Sequence, residues 1–446
     1  MRPSGSAADE LQYYGAKRVT ATYLRTHEIS QAKRQRTAMN RPNDRPKTPP
    51  LSIVGGLASK RVTNGTASTR LHILMPCHEY PPIGGGASAV CNALARHYIQ
   101  AGHHVRVVTM GFADLPEHER VDGVDIFRVA CGRERRDMAS PWEGFTWAKR
   151  SAALVRRLDQ RDPFDVVHAH FIMPGGIVGA RLKNRFGTPL IITAHGSDVP
   201  GYHRERLKIA HVLVHPWWRR ICRGADVIVS PSHDLAGLIE THIRGLEVHV
   251  IPNGFDPNRF RPHTKQQRIL LCSRLVARKG LQDFLRAIGS LDLPDWHIDI
   301  VGDGPVREEL AGLAATCRTP ITMHGWLDND SDELAALYGK AMIMVLPSRR
   351  ENCSIALLEG MSAGCAVITT DGAGNPEVVG DCGVRVPLGD RAALRRAVID
   401  LTRDPRRCQE LGASARRRAM VQFDWTKLAR RYLDLFQTQL ARRGAA

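Results

Sequence analysis

From Leu71 onward, short apolar runs alternate with stretches of helical period. LHILMP, HVRVVTM, VDIFRV, DVVHAH, PLIITAH and DVIVSPS read as strands, and most are separated by a helical segment. Strands that are apolar throughout, with helices between them, are buried on both faces, which indicates a parallel sheet. VHVIPNGFD (248–256) closes this first set, and RILLCSR at 268 opens a second with HIDIVGDGP, ITMHGWL, MIMVLPS, AVITTD and GVRVPL. The pattern predicts an α/β chain of two doubly wound parallel-sheet units joined near 257–267. WTKLARRYLDLFQTQLARR (425–443) reads as an amphipathic helix with Leu428, Tyr432, Leu433, Leu435 and Phe436 among its apolar positions.

Residues 1–70 break the pattern. They are rich in Arg, Lys, Thr, Ser and Pro and lack sustained periodicity, so they read as a disordered basic extension. A later start at Met39 and a targeting peptide are the other readings of this stretch. The expected layout is therefore an extension (1–70), a first domain (71–256), a second domain (257–424) and a terminal helix (425–446).

A length of 446 residues suits two or three domains, and 43% hydrophobic residues suffice for sizeable cores. The net charge of +18 sits at the two ends, with +9 in residues 1–70, +9 in residues 391–446 and a neutral middle. Such ends suit an anionic membrane surface or an acidic substrate, or serve solubility alone. No nucleic-acid module is visible, so nucleic acid is not an expected partner. RERLKIAHVLVHPWWRRICR (204–223) mixes basic residues with Trp217 and Trp218. It reads either as an ordinary surface helix or as an interface for reversible docking at an inner leaflet. The ten cysteines form no C-x-x-C pair and no zinc spacing, which suits reduced thiols in the cytoplasm. No apolar run has membrane-spanning length, and the N-terminus lacks a signal-peptide core.

The most informative stretch is PSRRENCSIALLEGMSAGCAV. A strand from Met342 to Leu346 ends at Pro347-Ser348, and a helix runs from about Ser354 to Met361. Glu351 thus lies at the carboxyl end of a parallel strand and Glu359 inside the next helix. Ligands of open α/β sheets collect at that edge. Two carboxylates there can each accept hydrogen bonds from vicinal hydroxyls, and the helix N-terminus favours phosphate. In SRLVARKG, Arg274 and Lys279 follow a strand and can clamp a diphosphate, unless both are simply solvated. In EYPPIGGGASAV, Gly84, Gly85 and Gly86 precede a helix starting near Ser88 and let backbone N–H groups approach a phosphate, or only form a turn. His195, in TAHGSDVPGY, ends a first-domain strand. Ser197 or Asp198 is placed to cap the next helix. Gly302, Gly304 and Pro305 read as a turn with proline at the first helical position, and Asp328-Asn329-Asp330 as a cap rather than a metal site.

Taken together, the paired glutamates, R-L-V-x-x-K-G at 274–280, PNGFD at 252–256 and P-P-I-G-G at 81–85 resemble the retaining glycosyltransferases of family 4. The resemblance covers about Leu71 to Leu435. It implies a GT-B fold, in which two Rossmann-like domains face across a cleft and the last helix crosses back to the first domain. It implies that Arg274 and Lys279 bind the donor diphosphate, Glu359 the ribose and Glu351 the transferred sugar. By the same resemblance Gly84–Gly86 contact phosphate and His195 approaches the reacting centre. The run Asn352-Cys353-Ser354 departs from the small, Gly-rich residues common in the family, so the donor pocket is expected to have its own shape there. The implied reaction is same-face transfer from a nucleoside-diphosphate sugar to a polysaccharide or lipid-linked acceptor. The leaving phosphate takes the acceptor proton, with no metal and no cofactor. A nucleotide-sugar epimerase of the same fold and a non-catalytic binding protein are the alternatives.

Overall fold

The structure, a computed structural model, describes residues 70–136, 138–202 and 208–445. The readings of residues 1–69 and of Arg204 to Leu207 lie outside the described residues.

The first lobe holds β1 (His72–Pro76), α1 (Gly86–Gln100), β2 (His104–Met110), β3 (His118–Val121), β4 (Val124–Val129) and α2 (Pro141–Arg161). It continues with β5 (Val166–His170), α3 (Gly175–Phe186), β6 (Leu190–Thr193), α4 (Lys208–Gly224), β7 (Val227–Ser230), α5 (His233–His242) and β8 (Val248–Val250). The eight strands form one sheet in the order β3-β4-β2-β1-β5-β6-β7-β8. All neighbours are parallel except β3 and β4. Alternation along each strand sorts its side chains. Ile73, Met75, Val105 and Val107 join α1 on one face, while Leu74, Val108 and Val167 meet α2 to α5 on the other.

The second lobe runs through β9 (Gln266–Cys272), a 3-10 turn (Ala277–Lys279), α6 (Leu281–Ile288), β10 (His297–Val301), α7 (Arg307–Ala315), β11 (Ile321–Gly325) and α8 (Asp332–Lys340). It ends with β12 (Ala341–Leu346), α9 (Ile355–Ser362), β13 (Ala366–Thr370), α10 (Asn375–Val379), β14 (Val384–Val386), α11 (Arg391–Arg403) and α12 (Pro405–Gln422). Its six-stranded sheet, β11-β10-β9-β12-β13-β14, is wholly parallel. All six residues of β12 are buried, which explains why the run reads as continuously apolar.

The chain crosses between the lobes twice. The two crossings touch where Phe255 bridges to Asp424. A Cβ on Gly254 would lie 2.6 Å from the Trp425 ring, so this approach requires glycine. Helix α13 (Trp425–Ala445) then returns to the first lobe. Trp425, Leu428, Ala429, Tyr432 and Phe436 complete the core under α1, with the Phe436 and Tyr98 rings edge-to-face at 5.5 Å. Leu433 and Leu435 pack at its margin.

Several local readings are corrected. The periodicity misses β3, a four-residue edge strand with no buried position. Helix α1 begins at Gly86 rather than Ser88, and α7 begins at Arg307, two residues beyond Pro305. Ser331, not the Asp328–Asp330 run, caps α8 by accepting the Leu334 N–H. All ten cysteines are free. Among the described residues no helix is long and apolar enough to cross a membrane.

Phe436 is fully buried, so Phe436→Ala is expected to destabilise the first lobe by about 3–5 kcal/mol. Denaturant unfolding followed by tryptophan fluorescence measures this. A loss below about 1 kcal/mol would show that α13 is only loosely attached.

Candidate active site

The carboxyl edges of the two sheets face each other, and hydrogen bonds cross between them. The Asn253 amide donates to the Cys353 carbonyl at 3.0 Å, and the Ser232 hydroxyl donates to Asn352 Oδ1.

On the second lobe, β9 and β12 are neighbours, with Ile269 opposite Ile343. The loops that follow them therefore meet. Gly280, at φ 74°, lies where a Cβ would be 2.1 Å from the Pro347 carbonyl, and Arg349 N–H donates to the Arg278 carbonyl at 2.9 Å. This interlock joins Lys279 to Glu351, at 2.5 Å between Nζ and Oε1, with each side chain 14% exposed. The Ser348 hydroxyl donates to the same oxygen at 2.6 Å. Burial raises the Glu351 pKa, but the Lys279 charge and the hydrogen bonds from Lys279 and Ser348 outweigh it, so the carboxyl titrates below its ordinary range. Glu359 is different. Burial pushes its pKa up to about 7, with Tyr338 and Arg259 opposing. One glutamate is thus held ionised and the other is poised near neutrality.

Arg274 is exposed and has no carboxylate partner among the described residues. Its loop is packed by the Gly302–Gly304 turn. A Cβ on Gly302 would lie 1.9 Å from the Ser273 carbonyl, so these glycines serve a close approach.

On the first lobe, Gly84 has φ 97°, and a Cβ there would lie 2.6 Å from Glu79 Cβ. Gly85 and Gly86 face open space. Helix α1 starts there with no acidic residue in its first turn. Gly84 N–H donates to the Arg136 carbonyl at 2.8 Å and Gly85 N–H to Glu79 Oε2 at 3.4 Å, so a carboxylate already lies at this helix end, whose dipole favours negative charge. Rings connect this loop to His195. His78 packs on Phe171 at 4.4 Å, and Phe171 on His195 at 4.6 Å. His195 Nε2 hydrogen-bonds His170 Nδ1 at 3.0 Å. Burial lowers the pKa of His195 to about 3, as it does for His78 with help from the Arg133 charge, so both rings are neutral at pH 7.

Asp198 does not cap a helix. Its carboxylate accepts the backbone N–H groups of Ile172 (2.6 Å) and His195 (2.9 Å), tying the β5 and β6 loops together. Burial raises its pKa to about 6 against those hydrogen bonds. The side-chain oxygen of Asn352 accepts the Ser232 hydroxyl of the first lobe. Cys353 is buried, and Ser354 stands at the N-cap of α9 without a side-chain cap bond. Sequence reading missed Ser232, Arg350 and Glu377, whose site contacts are long-range, and Glu79, which accepts the Gly85 N–H six residues on. Among the described residues no group of three or more His, Cys, Asp or Glu side chains is placed to hold a metal ion.

Residues 84–259 match the family model described as Glycosyltransferase Family 4, and residues 266–404 match the one described as Glycosyl transferases group 1. A glycogen synthase of Mycobacterium tuberculosis is 28% identical over 387 residues, covering 80% of this chain and 92% of its own. An MMP alpha-(1->4)-mannosyltransferase of Mycolicibacterium hassiacum is 25% identical over 412 residues, covering 80% of this chain and 96% of its own. The solved sucrose-phosphate synthase of Thermosynechococcus elongatus shares the fold, with a TM-score of 0.72 at 21% identity, over 84% of this chain and 100% of that one.

Because the pKa of Glu359 is raised in the folded chain, ionising it opposes folding. Its cost is absent below its unfolded pKa and grows as pH rises towards 7. Glu359→Gln is therefore expected to match the parent's melting temperature near pH 4.5 and to exceed it at pH 8. Equal melting temperatures at both pH values would contradict the buried-acid assignment.

Proposed function

The chain belongs to the family 4 glycosyltransferases and has their GT-B fold; we propose that it moves a sugar from a nucleoside-diphosphate sugar to a glycan or lipid-linked acceptor, with retention of anomeric configuration and without a metal. The observation that carries this reading is the buried Lys279–Glu351 pair beside the poised Glu359. A diphosphate is a better partner for Lys279 than a carboxylate that can turn to sugar hydroxyls. On this reading the donor diphosphate takes Lys279 and the exposed Arg274, and Glu351 accepts hydrogen bonds from the sugar. Glu359 accepts from the ribose. The Gly84–Gly86 loop faces phosphate, which takes the Gly85 N–H from Glu79 while the Gly84 N–H stays on the Arg136 carbonyl, and neutral His195 hydrogen-bonds the sugar near the reacting carbon. The bond from the anomeric carbon to the diphosphate oxygen breaks. The acceptor oxygen bonds from the same face, and its proton goes to the leaving phosphate. Catalysis is then positioning plus stabilisation of the leaving charge by two cations. Relatives named as a glycogen synthase and a mannosyltransferase support a glycan acceptor. Nothing in the comparisons favours an epimerase or a binding protein.

Release of nucleoside diphosphate from UDP- and GDP-sugars, with candidate acceptors and with EDTA, tests the proposal. Activity is expected to survive chelation, and loss restored by Mg²⁺ or Mn²⁺ would contradict the metal-free reading. Lys279→Ala and Arg274→Ala are each expected to lower kcat/KM by about a hundredfold, the order of one lost transition-state contact. Near-parental turnover in both would remove the clamp.

For the acceptor side we propose reversible docking on an anionic leaflet. The Trp217–Trp218 pair divides. Trp218 is buried and its Nε1 donates to the Asp198 carbonyl at 2.8 Å, while Trp217 is 59% exposed. Its ring partner on the surface is Phe145, at 6.1 Å between rings, and Trp142, 80% exposed, lies three residues before Phe145 on α2. Lys149, Arg156 and Arg220 are exposed on the same helices, α2 and α4. Aromatic rings with cations suit a lipid interface, and each cation contributes about 1 kcal/mol there. Co-sedimentation with anionic vesicles is expected, weakening with salt and in Trp142→Ser/Trp217→Ser. Equal partitioning to neutral and anionic vesicles would overturn docking.

A further inference from the structure

We propose that Arg350 and Glu377 are positioning residues that clamp the two lobes in register, so that the Glu351 side of the site meets the His195 side. The kinetic part of this inference rests on the transfer reading above. The contacts themselves do not.

Glu377 lies on α10 of the second lobe. Its carboxylate accepts the first two backbone N–H groups of α5 in the first lobe, from His233 at 2.7 Å and Asp234 at 2.9 Å. A helix leaves these donors without partners of its own, and its dipole favours a negative charge there. A carboxylate from the opposite lobe therefore satisfies two orphan groups at once. Next to it, the Arg350 guanidinium reaches Asp234 Oδ2 at 3.4 Å and lies over the Tyr202 ring at 4.7 Å. Arg350 thus grips two first-lobe elements, one by charge and one by a cation–π contact.

Both ends of this clamp lead directly to the site. Arg350 precedes Glu351 in the chain. Tyr202 packs against Gly196, the neighbour of His195, so closely that a Cβ on Gly196 would lie 2.8 Å from its ring. On the other arm, Gly374 N–H donates to the Glu351 carbonyl at 2.9 Å, and a Cβ on Gly374 would lie 1.6 Å from the Asn352 carbonyl. The turn carrying Glu377 is thus pressed onto the backbone of Glu351. Arg418 of α12 fixes α10 from behind, donating to the carbonyls of Glu377 (2.8 Å) and Val378 (2.9 Å). Neither Arg350 nor Glu377 is assigned a donor contact. Their part is geometric, and a misplacement of about 1 Å costs on the order of a hundredfold in rate.

The test compares Glu377→Gln and Arg350→Ala with the parent, and Glu377→Asp and Arg350→Lys as conservative variants. Gln turns an amide N–H₂ toward one of the two donors, and Lys keeps the charge but not the planar stack. The expected result is a tenfold to hundredfold fall in kcat for transfer, with smaller losses in the conservative variants. Affinity for free UDP or GDP, measured by calorimetry and on the reading above held chiefly by Lys279, Arg274 and Glu359 of the second lobe, is expected to stay within threefold of the parent. Small-angle X-ray scattering without ligand is expected to give a larger radius of gyration for Glu377→Gln and Arg350→Ala. A kcat within twofold of the parent, a parallel loss of nucleotide affinity, or an unchanged radius of gyration would overturn the clamp. If the first pair unfolds, the conservative pair decides by the same readouts. A parent without turnover on any donor counts against the transfer reading alone, and scattering then decides the clamp.

Discussion

A lysine and a glutamate buried side by side must neutralise each other, and the rest of the site is arranged around one such pair. Removing one member of a buried ion pair costs about 3–5 kcal/mol, because the remaining charge is stranded away from water. Lys279 and Glu351 escape that cost only because two loops from neighbouring parallel strands interlock. Gly280 lies against the Pro347 carbonyl, and Arg349 N–H bonds to the Arg278 carbonyl. Parallel pairing of β9 with β12 brings together residues 72 positions apart in the chain. The pair also gives the pocket a cation held ready for a more highly charged anion. A carboxylate held ionised by Lys279 and Ser348 is available to hydroxyl donors.

The two lobes contribute different chemistry. The second supplies charges, namely Lys279, Arg274, Glu351 and the near-neutral carboxyl of Glu359. The first supplies an uncharged ring and ordered backbone. His195 is kept uncharged by burial, the Asp198 carboxylate is occupied with backbone N–H groups, and α1 begins at the glycines with Glu79 on the Gly85 N–H. Each lobe binds its own part of a substrate only if their relative position is fixed. Helix α13 fixes it on the outside, with five apolar side chains sunk in the first-lobe core. The contacts of Arg350 and Glu377 do so within the cleft.

Much of this arrangement is legible along the chain, for physical reasons. Strands buried on both faces are largely apolar, so β12, the apolar middle of β1 and the Ile269–Leu271 run of β9 stand out from the helices between them. Carboxylates at strand ends are conspicuous against such runs, which is how Glu351 is found. The apolar face of α13 is visible because Leu428, Tyr432 and Phe436 recur at helical spacing. What escapes is short or long-range. β3 has four exposed or half-buried residues and pairs only at an edge, leaving no alternation to detect. Asp198 looks like a cap because its local sequence is that of a cap, yet its carboxylate is drawn to Ile172, 26 residues away. The bond from Ser232 to Asn352, 120 positions later, leaves no local signal either. Trp217 and Trp218 look alike in sequence, and only helix packing separates the buried ring from the exposed one. Glu377 carries no local signal, since its partners belong to a helix N-terminus in the other lobe.

The proposed transfer depends on an exchange of partners at Lys279. A crystal structure of the chain with a bound nucleoside-diphosphate sugar tests this most directly. Lys279 Nζ is expected on a diphosphate oxygen, Glu351 on hydroxyls of the sugar and the 2.5 Å contact between them broken. A complex in which that contact persists while the diphosphate is held elsewhere would contradict it.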